Sequence, residues 1–261
     1  MLVQVMVAPV LNEPVEKAEM VTQVVLGTWV EIIETKGQWC RIIIREQKGY
    51  AGWTKKEFLC QPTADTEIFA VRVAELLAPL KERSKETAQT IDEAVFQAFL
   101  PVCKKEQAWI LVKGPFAQKA WIYRSHTSLA QKSIKGARLS LLKNAEKFLG
   151  TPYMWGGMTP YGIDCSGFIH VLFASENIFL HRDAHLQYAW DGIFIERQKL
   201  QPADLVFFDT LGKGVISHVG IYQKDGHFIN ASSSRGKVLV DHLDQDKWPH
   251  YFKGAKRIIH Y

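Results

Sequence analysis

The stretch TPYMWGGMTPYGIDCSGFI, residues 151–169, decides how the rest of the chain is read. Cys165 stands there after Asp164 and before Ser166-Gly167, where a loop carrying Gly156, Gly157 and Gly162 gives way to the apolar run Phe168, Ile169, Val171, Leu172, Phe173. The pattern predicts a helix that begins at the cysteine. The free N–H groups and positive dipole end of a helix stabilise an anion, so a thiol placed there is expected to have its pKa lowered toward the nucleophilic thiolate. A cysteine buried for packing alone is the competing reading, because free Cys is among the most buried residue types.

The flanking sequence builds one domain around this stretch, residues 137–261. Upstream, Leu139, Leu142, Ala145, Phe148 and Leu149 recur at helical spacing, and Gly150-Thr151-Pro152 ends the helix. Downstream, a second polar helix is expected over 183–190, followed by strand-like runs at 204–208, 217–223, 227–232 and 237–242. Helices first and antiparallel strands afterwards indicate an α+β domain.

A cysteine nucleophile needs a base to take its proton and a third polar group to hold that base. His170, His181, His185, His218, His227, His242, His250 and His260 all lie in this domain. His218 stands out: in Ser217-His218-Val219-Gly220-Ile221-Tyr222 it heads an apolar strand whose core it does not suit. A structural histidine is the alternative. A three-residue hairpin loop with Tyr222 facing Gly226 places Asn230 directly opposite His218, whereas a two-residue Asp225-Gly226 turn shifts the parity and sends Asn230 to the other face. In any short-turn register His227 lies roughly 13 Å along the ladder from His218, beyond hydrogen-bond reach.

Residues 1–62 read as short strands, VQVMVAP, TQVVLGTWVEIIET, QWCRIIIRE and YAGWTKKEFL, which suggest a small barrel. Val3, Val5 and Val7 alternate with Leu2, Gln4 and Met6 as in an edge strand; Trp29 and Trp39 are expected in the core and Tyr50, in a Gly-flanked turn, at the surface. Residues 63–130 read as a second, divergent barrel: a strand over 67–77, a solvated loop or surface helix over 81–90, an apolar piece over 94–100, and two strands around Lys113-Gly114-Pro115. The polar segment 125–136 reads as a linker.

Composition narrows the functional class. With 32 Lys and Arg against 27 Asp and Glu, net charge +5, the basic residues are interleaved with acidic ones, and no nucleic-acid stripe results. The N-terminus lacks a basic leader and Pro9 interrupts its apolar start, which reads as neither signal peptide nor membrane span; a cytoplasmic location is expected, with export by another route left open. Cys40, Cys60, Cys103 and Cys165 lie far apart without a C-x-x-C pair, against structural zinc and a disulfide framework. His181 and His185 stand four apart but lack a third ligand, so neither metal nor cofactor is expected.

Five motifs in order, Pro152-Tyr153-x-Trp155-Gly156-Gly157, Asp164-Cys165-Ser166-Gly167, Arg182-Asp183-Ala184-x-x-Gln187, Leu200-x-Pro202-x-Asp204-Leu205-Val206-Phe207-Phe208 and Ser217 through Tyr222, resemble the NlpC family of papain-like cysteine peptidases. The Gln23-Val24-Val25-Leu26-Gly27 run, Trp39 and Gly49-Tyr50-Ala51-Gly52-Trp53 resemble a bacterial Src-homology-3-like barrel. The resemblance implies a multidomain chain, N-terminal all-β Src-homology-3-like barrels followed by an α+β papain-like cysteine peptidase domain.

It also implies hydrolysis of peptidoglycan stem peptides of the L-Ala-γ-D-Glu-diaminopimelate type, at the bond from D-glutamate to the diamino acid. Cys165 would be the nucleophile, His218 the base and Asn230 the orienting residue, at a position where most members carry a second histidine. Tyr153 would help hold the oxyanion. Trp155, Asp164, Ser166 and Ser217 would contact substrate, Asp164 and Ser166 at its L-Ala-γ-D-Glu portion, and Arg182 with Asp183 would match the zwitterionic diaminopimelate side chain. Glu19 and Tyr50 are the best matches for the acid and tyrosine with which a first barrel caps the cleft in members specific for a free N-terminal alanine, although Glu13 and Glu16 compete. A papain-like amidase or acyltransferase, and a peptide-binding module with a vestigial catalytic domain, are the alternatives.

Overall fold

The structure is a computed structural model that describes residues 1–62, 70–128 and 136–259. The chain divides into two compact units, the N-terminal one holding two barrels and the C-terminal one the cysteine-bearing domain.

In the first barrel five strands lie in the order Met20–Val25, Val7–Leu11, Tyr50–Lys55, Trp39–Ile44, Val30–Lys36, and Leu2–Val3 pairs with Leu59–Cys60. Alternation along these short strands buries Ala8, Val10, Val24, Ile42 and Ile44 on one side. The expected continuous edge strand is broken at residues 4–6, where the Gln4 N–H donates to the Phe58 carbonyl instead of to a ladder. Trp39 is buried as expected, whereas Trp29 is 46% exposed because the chain turns at Gly27 just before it.

The second barrel repeats the first. Strands Val7–Leu11, Met20–Val25 and Trp39–Ile44 have counterparts Leu77–Lys81, Thr90–Val95 and Trp109–Lys113, each beginning 70 residues later (7 to 77, 20 to 90, 39 to 109). The loop between the first two is duplicated bond for bond: Asn12 N–H to the Glu19 carbonyl becomes Glu82 N–H to the Gln89 carbonyl. The polar run 81–90 is therefore this loop. Ala70–Val73 forms a strand, and the earlier part of the expected strand, 67–69, lies outside the described residues. Thr127–Ser128 pairs with Val73 and Arg72, so the beginning of the expected linker closes the second barrel; 129–135 lie outside the described residues.

The C-terminal unit packs helices Ala137–Lys147, Cys165–Ala174 and Ala184–Trp190 with a six-stranded antiparallel sheet. The strand order is Ile193–Ile195, Phe252–Arg257, Leu205–Phe208, His218–Lys224, His227–Ser232, Lys237–His242. The C-terminal strand thus runs inside the sheet. Its sequence FKGAKR carries two lysines, which hides it from hydrophobic patterning; Lys256 is buried because its ammonium donates to the Tyr188 carbonyl (2.8 Å) and sits over the Phe194 ring. In the first helix the buried stripe is Ala137, Leu141, Ala145, followed by Phe148, while Leu139 and Leu149 face solvent, a phase shift from the expected face.

Phe148 meets Phe168 of the cysteine helix edge-to-face at 5.7 Å, with neither ring exposed. Phe148→Ala should therefore cost about 3–5 kcal/mol in denaturant unfolding; a loss below about 1 kcal/mol would show that this contact does not hold the helix pair.

Candidate active site

Cys165 opens the helix Cys165–Ala174, every residue of which is buried. Asp164 is its N-cap, accepting the Gly167 N–H at 2.7 Å. The helix presses so closely on the preceding loop that a Cβ at Gly167 would fall 2.4 Å from the Gly157 carbonyl oxygen. Small residues after the cysteine are thus a packing requirement.

The cap does more than end a helix. Oδ1 of Asp164 also accepts from Arg182 Nη1 (3.0 Å) and the Ser166 hydroxyl (3.3 Å), and Oδ2 accepts from Arg182 Nη2 (2.5 Å) and the Gly156 N–H (2.9 Å). Arg182 is 1% exposed, and its Nη1 also donates to the Ser166 hydroxyl at 3.0 Å. Gln187 ties the assembly together by donating to the Ser166 and His181 carbonyls.

The strand His218–Lys224 brings the base to this helix. The Val219 main chain hydrogen-bonds the Cys165 sulfur, so the residue before it, His218, starts beside the thiol. The hairpin turn is the two-residue one, with Lys224 opposite His227, but a bulge between Tyr222 and Lys224 restores the parity and pairs Tyr222 with Phe228. Asn230 consequently shares the face of His218 while standing opposite Gly220, two residues away. The pair meets diagonally, His218 Nε2 to Asn230 Oδ1 at 2.9 Å. Gly220 leaves the space: a Cβ there would lie 2.6 Å from the Phe228 ring and 3.2 Å from the Asn230 Cβ. Asn230 Nδ2 donates to Asp241 Oδ2 at 2.9 Å, which turns its oxygen toward the imidazole. His218 therefore carries its proton on Nε2, leaving Nδ1 as the basic nitrogen. Trp248 stacks on the ring at 5.4 Å.

Residues 150–257 match the model of the NlpC/P60 family and residues 4–59 that of the bacterial SH3 domain. A γ-D-glutamyl-L-lysine dipeptidyl-peptidase of Bacillus cereus is 30% identical over 255 residues, covering 91% of this chain and 75% of that protein. The chain belongs to the NlpC/P60 family. A second γ-D-glutamyl-L-lysine dipeptidyl-peptidase, from Bacillus subtilis, is 30% identical over 225 residues, 84% of this chain and 74% of that one. The crystal structure of an NlpC/P60 family protein from Bacillus cereus superposes with a TM-score of 0.87 at 24% identity, covering 99% of both chains, which establishes the shared fold. As a family member the chain is a cysteine peptidase of the peptidoglycan endopeptidase group.

Within this NlpC/P60 domain the residues expected to touch substrate separate into two sets. Cys165, His218, Asn230 and Tyr153 cluster: the Tyr153 phenol is pushed well above its ordinary range, first by burial and then by the charges at Cys165 and Asp164, and so keeps its proton to donate. Trp155, in the same loop, is 63% exposed, and Asp183, at the head of its helix, is half-buried. The polar atoms of Asp164, Ser166 and Arg182 bond one another beside the cysteine, so the three residues brace the start of its helix. Ser217 bonds the Thr210 N–H and hydroxyl and closes its own loop. His181 gives its Nδ1 to Asp191. Glu19 and Tyr50 lie in the N-terminal unit, the first exposed at the end of the 12–19 loop and the second half-buried at the head of Tyr50–Lys55.

Two residues were not foreseen. Asp241 could have been found by alternation, since its pairing with Phe228 puts it on the face of Asn230. Trp248 follows a polar loop and carries no periodic signal.

The thiol also departs from expectation. Burial first, and then the Asp164 charge, push Cys165 up to about 12, outweighing the Val219 and Ser166 hydrogen bonds and the Arg182 charge. Burial pushes His218 down to about 4 against the raising effects of Asn230 and Asp241. The resting pair is neutral thiol and neutral imidazole, and the proton moves only as attack proceeds.

Burial likewise lowers His170 to about 4. Between pH 6.5 and 5 the unfolded chain takes up protons at His170 and His218 that the folded chain refuses, so stability must fall as pH falls. His170→Asn should remove about one proton of that slope in unfolding titrations restricted to this window; an unchanged slope would mean that His170 is already charged in the fold.

Proposed function

We propose that the chain hydrolyses the bond between the γ-carboxyl of D-glutamate and the diamino acid in peptidoglycan stem peptides. The observation that carries this is the His218–Asn230 hydrogen bond on the strand whose Val219 main chain bonds the Cys165 sulfur, with a protonated Tyr153 coupled to the same cysteine. The names of the two Bacillus relatives support the choice of bond.

The chemistry follows from the protonation states. Nδ1 of His218 takes the thiol proton as Cys165 Sγ attacks the amide carbon, and the Tyr153 hydroxyl donates to the forming oxyanion. The imidazolium then protonates the amine of the diamino acid, which leaves, and a thioester to the γ-carboxyl of D-glutamate remains on Cys165. Water, deprotonated by the same nitrogen, opens that thioester and returns the thiol.

The purified chain, offered L-Ala-γ-D-Glu-diaminopimelate, its lysine counterpart and intact sacculus, should release the diamino acid from free peptide. Whichever of the two peptides is cut faster identifies the diamino acid. Cys165→Ala should abolish release while the fold and peptide binding persist; continued release by this variant would rule out the mechanism.

A further inference from the structure

We propose that Asp241 is the positioning residue that enables Asn230 to act as third member of the site, by fixing the direction of its amide and setting a carboxylate one amide away from the imidazolium. The inference rests on the peptidase reading above.

A side-chain amide has two ends of the same shape and opposite hydrogen-bond role. With its oxygen toward His218, Asn230 accepts from Nε2–H and leaves Nδ1 bare to serve as the basic nitrogen. With its NH2 group there instead, the imidazole must offer a bare Nε2 and carry its proton on Nδ1, where it cannot take one from Cys165. Asn230 is fully buried, so no water chooses between these states. Asp241 does: an ionised carboxylate only accepts, and its 2.9 Å bond demands the NH2 end. The sheet supplies the placement, because Asn230 pairs with Leu239 and Phe228 with Asp241, leaving Asp241 diagonal to Asn230 on the same face.

Asp241 also supplies what an amide lacks. Asn230 cannot carry charge, yet turnover passes through a buried imidazolium. The charged groups acting on His218 are Asp241 from the neighbouring strand, Asp164 from the cysteine helix and Lys247 beside Trp248; Lys247 opposes protonation and both aspartates favour it. Asp164 is held in an ion pair with Arg182 and acts on His218 less than Asp241 does. Asp241 is thus the carboxylate left to support the imidazolium, acting through a polarised amide.

The test uses the full chain with Asp241→Asn, Asp241→Ala, Asn230→Ala and the double alanine variant. Asparagine at 241 keeps an acceptor and loses the charge, so kcat should fall about tenfold with KM unchanged. Alanine loses both and should cost on the order of a hundredfold in kcat. In the Asn230→Ala background, Asp241→Ala should add little, since its route to His218 is gone. Nitrogen-15 imidazole spectra, with His218 assigned by comparison with His218→Gln, should show proton-bearing Nε2 and bare Nδ1 in the wild type and a tautomer mixture in Asp241→Ala. Wild-type kcat in both Asp241 variants, equal losses with and without Asn230, or an unchanged tautomer would each overturn the proposal. The rate of Cys165 alkylation by iodoacetamide needs no peptide. If the wild type cuts no stem peptide but alkylation and tautomer still respond to Asp241, the peptidase reading fails and the positioning role stands.

Discussion

Asp164 and Arg182 place a complete ion pair beneath the first turn of the cysteine helix, with side chains 7% and 1% exposed. Removing two charges from water costs several kcal/mol per ion, which a single contact does not recover. The geometry recovers it with a two-pronged guanidinium contact and with hydrogen bonds to the carboxylate from Gly156, Ser166 and Gly167. Together these bonds reach three pieces of chain: the Tyr153 loop, the helix start and the segment before the third helix. One carboxylate therefore sets the relative positions of Tyr153, Cys165 and Gln187, and a neutral group in its place would leave the Arg182 charge buried without a partner.

Burial is the first reason the thiol rests uncharged. A helix start favours a thiolate, but desolvation of the whole group and then the Asp164 charge outweigh that effect and the opposing Arg182 charge. A ready thiolate in this site would be a buried anion beside another. The fold avoids that state and keeps a neutral thiol against the Val219 main chain, next in sequence to a neutral imidazole. In the proposed mechanism charge develops only in the transition state, with Tyr153 as donor to the oxyanion and Asn230 beside the imidazolium. Preorganised groups of this kind contribute most when nothing has to reorient during the reaction.

How much of this was legible in the sequence depends on which interaction decides each element. The helix at Cys165 was legible because a cap, a small-residue start and an apolar run all act locally. So was the placement of His218, the odd residue at the head of an apolar strand. The third residue was reached through the wrong turn: the bulge at Gln223 cancels the parity change of the two-residue turn, and a bulge leaves no mark in composition. The strand Phe252–Arg257 was missed because its lysines are accommodated by partners distant in sequence. The second barrel was legible as a divergent one, but its strict 70-residue register was not, because strand pairing and loop bonds preserve that register while side chains have diverged.

Arg182 shows the limit most sharply. A neighbouring Arg and Asp in sequence suggest a zwitterion receptor, yet adjacent residues on extended chain point opposite ways. Arg182 turns inward to Asp164, eighteen positions earlier, while Asp183 remains half-buried at the head of its helix. The sequence distance between true partners exceeds anything a motif can hold, and only the fold decides which charge a buried guanidinium meets. What the motif Arg182-Asp183-x-x-x-Gln187 records is a bracing element: the arginine grips the cap, and the glutamine grips the carbonyl behind the nucleophile. The buried trio of Asp164, Ser166 and Arg182 thus holds three separate pieces of chain against the start of the cysteine helix.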